Sequence, residues 1–192
     1  MKKLILLFIL ILVFILPGCS DNTRIDRAEV VKCITAQDAW GKNIYTFHLL
    51  TDEKEPVSVE AVDYVQAMEN VKKDYLPDLS LARLEIIIYE ENFDKNTMFN
   101  DLTRIKRDYS VSPSVKLSLA DKKTFAKIEE NESNIDEYKE AIIRKENENE
   151  EVVSELLSVY NKNNNYSSLQ IVMPLITSEG IVESKNIEIA SK

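Results

Sequence analysis

The chain has 192 residues, 44% of them hydrophobic, with 24 basic and 33 acidic side chains, a net charge of −9 with its single histidine neutral. An acidic balance of this size excludes nucleic-acid binding by phosphate neutralisation and adhesion to anionic headgroups through a basic patch. With only two cysteines, Cys19 and Cys33, the chain must be held together by packing rather than by a disulfide framework.

Lys2 and Lys3 precede thirteen uninterrupted apolar residues, Leu4 to Leu16. As a helix that run spans about 20 Å, short of the roughly 30 Å hydrocarbon layer, so a signal peptide is predicted in preference to a spanning anchor. In place of a small-x-small cleavage site stands Leu16-Pro17-Gly18-Cys19, followed at once by polar "SDNTR". This resembles the lipobox of bacterial lipoproteins, in which the chain is cut before the cysteine and a diacylglycerol is attached to its sulfur. Residues 1–18 are therefore expected to leave as a signal peptide. Cys19 is the expected lipidation site, and residues 19–26 form a lipidated tether to a domain over 27–192. The remaining alternatives are a plain signal peptide with an incidental cysteine, or a short uncleaved anchor. Removal of 1–18 takes two lysines and leaves 174 residues, with 22 basic against 33 acidic side chains, a balance of −11.

"AEVVKCITA" (28–36) is β-branched enough for a strand, and "QDAWGKN" supplies turn chemistry around Gly41. "IYTFHLLT" alternates, with Tyr45, Phe47 and Leu49 on one face and Ile44, Thr46 and His48 on the other, so a hairpin is predicted. Ser58 is placed as the cap of a helix over about 59–75, with Ala61, Val65, Met68 and Tyr75 on its apolar stripe, Lys72 interrupting it and Pro77 ending it. "LARLEIIIYE" (81–90) reads as a central strand, apolar on both faces. A helix near 96–108, a strand over 114–120 and a short helix opened by Asp121 follow.

Residues 129–151 hold ten acids and three bases, and "ENENEE" (146–151) is read as solvated. A helical pattern returns at 152–160, and two strands, "SLQIVMPLI" and "IVESKNIEIA", flank "TSEG". The predicted class is α+β, a mixed β-sheet with packed helices, preceded by a lipoprotein signal peptide.

Chemistry-bearing motifs are scarce. His48 is expected at a half-exposed strand position, and Cys33 as a small buried apolar residue. Three glycines in the whole chain leave no Gly-rich phosphate cradle. Asp52, Glu53 and Glu55 read as a solubilising loop, and Trp40, beside Gly41, as a cover for the sheet edge. No catalytic or metal-ligating residue is assigned, no cofactor is expected, and the ligand-binding residues stay open.

Three stretches are similar to the N-terminal domain of the Ger(x)C spore germination lipoproteins, the C subunits of nutrient germinant receptors. They are the lipobox with its first strand, "GCSDNTRIDRAEVVKCITAQD"; residues 78–128, in which Arg107-Asp108 stand where the family often has that pair; and "MPLITSEGIVESKNIEIA". Ser20 departs from the family's usual tryptophan, and Arg83 stands near a common histidine. The resemblance implies a non-enzymatic subunit or accessory protein on the outer face of the cell membrane or spore inner membrane. Its partners would be the membrane-embedded receptor A and B subunits. Family members continue into further C-terminal domains, so the first domain alone, or a truncated non-functional paralogue, is expected here. The contact surface is not readable from the residues; an exposed sheet edge or the 146–165 region are the candidates, with simple solubility the alternative for that acidic stretch. The alternatives are an extracytoplasmic lipoprotein binding a solute or peptide, and a surface hydrolase using carboxylates.

Overall fold

The computed structural model describes residues 28–39, 41–51, 54–130, 134–156, 158–159, 168–178 and 180–190. The leader, Cys19, the tether and Trp40 lie outside these residues. Strands β1 (Glu29–Ala39) and β2 (Lys42–Leu49) form the expected antiparallel hairpin, closing at Ala39 opposite Lys42. Gly41 sits in the turn at φ 96, a left-handed value that side chains with a Cβ disfavour. A Cβ there would meet nothing within 4 Å, so the penalty for Gly41→Ala is one of backbone alone. That substitution is expected to cost about 1–2 kcal/mol in a denaturant titration.

The helix expected from residue 59 starts later. Val57–Ala61 is instead a strand, β3, paired antiparallel with β2. Its alternation decides the outcome, with Val59 and Ala61 buried and Ser58 and Glu60 exposed. Ser58 caps nothing; its hydroxyl lies 2.9 Å from that of Thr46 across the strand pair. Helix α1 (Tyr64–Asp74) is capped by Asp63, which accepts from the Gln66 N–H at 2.9 Å. Its buried face is Tyr64, Ala67, Met68 and Val71; of the predicted helical stripe Met68 is buried from α1 and Ala61 from β3, while Val65 and Tyr75 are exposed.

After the two-residue strand β4 (Leu79–Ser80), β5 runs over Ile86–Glu90. Ile86, Ile87, Ile88 and Tyr89 are each at most 1% exposed, as expected of a strand covered on both faces. Leu81 and Leu84, assigned to this strand from sequence, are buried from a turn instead. Helix α2 (Lys95–Ile105) starts at Asp94, which accepts from the Thr97 N–H, and buries Met98, Asp101, Leu102 and Ile105. Strand β6 (Lys116–Ala120) leads into α3 (Lys122–Glu129), capped by Asp121 as predicted. Helix α4 (Ile135–Glu148) then crosses to the terminal hairpin of β7 (Ser168–Ile176) and β8 (Val182–Ala190).

These elements form one mixed sheet in the order β3-β2-β1-β5-β6-β7-β8, with β4 beside β1. β1, β5, β6 and β7 are parallel, and the flanking strands are antiparallel. The fold is α+β, with helices on both faces. One face carries Ile34, Tyr45, Phe47, Ile87, Tyr89 and Leu117 against α1 and α2. The other carries Cys33, Ile86, Ile88 and Ala120 against Phe125 and Ile128 of α3 and Ile142 of α4.

The helical pattern read at 152–160 begins as an extended segment. Val152 bridges Val172, and Glu155 bridges Lys116. The Leu117 N–H donates to the Ser154 carbonyl at 2.6 Å and the Val153 N–H to the Val172 carbonyl at 2.8 Å. Strands β6 and β7 pair only at Leu119–Ala120 with Leu175–Ile176, and residues 152–155 fill the fork between their other ends. Glu146 locks this insertion. Its carboxylate accepts from the Lys116 ammonium at 2.6 Å and the Ser154 N–H at 2.8 Å, so one acid of "ENENEE" is drawn inward by a half-buried cation and an amide.

Candidate functional site

Cys19, the sequence-assigned lipidation site, lies outside the described residues, as do Asp52 and Glu53; Glu55 is exposed. Cys33 is fully buried, as expected. Burial pushes its thiol well above the ordinary range; the Glu129 charge adds to this and Lys32 opposes it. A thiol held protonated in this way is a packing group rather than a nucleophile.

His48 is not half-exposed but 2% exposed, because α3 covers its side of the sheet. Its Nε2 lies 3.7 Å from Oε1 of Glu129, the last residue of α3, and 3.3 Å from the Thr35 hydroxyl. Glu129 also accepts from the hydroxyl of Thr35 through Oε1, and from that of Thr46 through Oε2 at 2.6 Å. Thr35 and Thr46 are register partners on β1 and β2, as are Cys33 and His48, so four cross-strand side chains form a floor beneath one carboxylate. Burial raises the Glu129 pKa, but the nearby His48 ring and the hydrogen bonds from Thr35 and Thr46 outweigh it and the net shift is downward. The cluster anchors α3 to the sheet, and its acceptor oxygens are already engaged.

A second carboxyl lies on the opposite face. Asp101, 1% exposed, accepts from the Tyr45 hydroxyl at 2.6 Å and from the Tyr64 N–H at 3.0 Å. Desolvation pushes its pKa up to about 6, against the lowering effect of those two hydrogen bonds. Asp101 thereby ties β2 to the start of α1 from within α2. Helical spacing from Met98 to Ile105 had already put position 101 on the inner stripe; the aspartate there is what the sequence reading passed over.

Above this cluster, α1 and the end of α2 border a shallow surface groove of about 400 Å³. Val65, Met68, Glu69 and Lys72 form the α1 wall at helical spacing, while Arg104, Arg107 and Asp108 form the other. Val65 and Met68 belong to the stripe that sequence periodicity assigned to the core; Ala61 and Tyr75 of that stripe do not line the groove. Asp108 accepts from the Ser110 N–H at 2.9 Å and its hydroxyl at 2.6 Å. Lys72, Arg104 and Arg107 form no ion pair among the described residues. Tyr64 also lines the groove; it is 5% exposed, and its hydroxyl has no hydrogen-bond partner among the described residues.

Within the 146–165 region, one of the candidate contact surfaces, Val152, Val153, Leu156 and Val159 are buried while Asn147, Glu148, Glu150 and Glu151 are exposed; residues 157 and 160–165 lie outside the described residues. Among the described residues no three His, Cys, Asp or Glu side chains are grouped to hold a metal ion, and no helix is long and apolar enough to cross a membrane. Comparison with protein-family models, with curated proteins and with solved structures finds no match to this chain.

Proposed function

We propose that this chain is a lipid-anchored, non-enzymatic subunit or accessory protein of a nutrient germinant receptor in spore germination. One observation carries the anchor: Cys19 directly follows Leu16-Pro17-Gly18 at the end of an unbroken apolar run. The receptor assignment is supported by the Ger(x)C resemblance over residues 78–128, including Arg107-Asp108. The non-catalytic role is supported by where the reactive side chains are used. Cys33 and His48 are sealed in the sheet, and Glu129 is engaged by two threonine hydroxyls. The perturbed carboxyl, Asp101, is buried away from solvent rather than presented in the groove.

One acyl chain holds a protein weakly and two or more hold it stably, each buried methylene contributing about 0.8 kcal/mol. A domain held this way meets membrane-embedded partners at a raised effective concentration, so a weak contact is sufficient for occupancy. Cys19→Ala is expected to abolish incorporation of labelled palmitate and to move the chain out of the membrane fraction. Unchanged labelling and fractionation would defeat the anchor. A deletion strain is expected to respond poorly to nutrients in a germination assay; a normal response, with no full-length paralogue present, would defeat the receptor role.

A further inference from the structure

We infer that the groove between α1 and α2 is a docking site for an acidic, amphipathic helical segment of a partner protein. Three exposed cations border it, Lys72 from α1, and Arg104 and Arg107 from α2 and the turn after it; they outnumber the two acids of its lining, Glu69 and Asp108, and form no ion pair among the described residues. The rest of the domain is strongly acidic, with 33 acidic side chains in the chain. An acidic segment is therefore repelled over most of the surface and attracted here, which fixes where it lands.

The apolar component is also present. Val65 is 38% exposed and Val62, just before α1, 60% exposed, and Met68 lines the groove. Helix α1 thus presents two apolar faces, one to the core and one to the groove, sharing Met68. Val65, Met68, Glu69 and Lys72 follow the i, i+3, i+4, i+7 pattern by which one helix receives another. The Tyr64 hydroxyl is a second, independent indication. Among the described residues Thr124 and Ser154 also carry buried hydroxyls without a partner, but Tyr64 alone of the three lines the groove, where an incoming carboxylate would supply the missing acceptor. Asp108 and Glu69 favour a peptide over a simple anion, since they repel any compact negative charge that lacks an apolar or amide surface to offset them. This inference gives the proposed assembly role a contact surface, but its chemistry does not depend on lipidation at Cys19.

The test uses the full chain in detergent micelles and a fluorescein-labelled synthetic peptide with leucine and glutamate at helical spacing. A sister peptide carries lysine in place of glutamate. Wild type is expected to bind the glutamate peptide. The triple variant Lys72→Glu, Arg104→Glu, Arg107→Glu is expected to bind it at least roughly tenfold more weakly and to gain affinity for the lysine peptide. Micelle partition is common to all variants and cancels in the comparison. All three positions are exposed, so the folded state should be kept, and circular dichroism checks this. Tyr64→Phe is expected to keep or raise the thermal midpoint while weakening the glutamate peptide. Cys19→Ala is expected to bind like wild type, which separates a failed groove from a failed anchor. Equal binding of the glutamate peptide by wild type and the triple variant would overturn the inference. So would full displacement of the peptide by inorganic phosphate, which would assign the cations to a small anion, or by phosphatidylglycerol vesicles, which would assign them to a lipid surface.

Discussion

Glu129→Ala is expected to be among the most damaging single substitutions in the chain, costing about 3–5 kcal/mol in a denaturant titration. The change removes the acceptor from the hydroxyls of Thr35 and Thr46 and the carboxylate beside the His48 ring, and all three of those side chains are at most 2% exposed. None can turn to water instead, and what stays within reach is the Ser58 hydroxyl 2.9 Å from Thr46 and the 3.3 Å contact between Thr35 and His48. Glu129→Gln is expected to cost much less, about 1–2 kcal/mol, because a threonine hydroxyl can rotate to accept from an amide as readily as it donates to a carboxylate. The two variants also differ from wild type in their pH response. The folded-state pKa of Glu129 lies below its unfolded value. Its contribution is therefore complete above the ordinary carboxylate range and is lost as pH falls through the folded-state value. Wild type should lose this increment on acidification, whereas Glu129→Gln should not. An equal acid slope in both proteins would show that the carboxylate does not hold α3 to the sheet.

That cluster marks the boundary of what the sequence discloses. The period-two alternation of "IYTFHLLT" correctly assigned Thr46 and His48 to one face and Tyr45, Phe47 and Leu49 to the other. It could not say that the polar face would be covered, because the covering residue, Glu129, is 94 positions from Thr35. The apolar run Ile86-Ile87-Ile88 identified a central strand, since no exposed face could carry it, and Asp121 marked a helix start through a local cap. The failures share a cause too. Val57, Val59 and Ala61 fit either a short strand or the start of a helix, and pairing with β2 chose the strand. Val152 and Val153 fit a helical stripe equally well, and the fork between β6 and β7 drew them into extended backbone. On α1, periodicity placed Val65 and Tyr75 on the core stripe with Met68, yet both are exposed and Val65 borders the groove, because helical spacing alone does not distinguish the two sides.

Asp101→Asn is expected to move stability in the opposite sense to Glu129→Gln across acidic pH. Desolvation raises the Asp101 pKa from its ordinary 3.8 to about 6. Protonated Asp101 therefore favours the fold fully below the unfolded value, and that advantage is lost as pH rises through about 6. The displacement corresponds to about 3 kcal/mol between the two ends of the window. Above it, the folded protein carries a buried carboxylate whose cost is only partly offset by the Tyr45 hydroxyl and the Tyr64 N–H. Asparagine removes the charge and keeps one oxygen for the Tyr64 N–H, so the variant should lie close to wild type at neutral pH and fall behind it toward pH 4. Asp101→Ala instead leaves both donors unpaired in a site 1% exposed to solvent, and is expected to lie about 2–4 kcal/mol below Asp101→Asn at any pH in the range, since neither variant titrates there. Chemical denaturation at pH 4.5 and pH 7.5 for the three proteins reads both effects. A wild-type chain that gains nothing over Asp101→Asn on acidification would mean that Asp101 is ionised throughout, and that its two hydrogen bonds outweigh its burial.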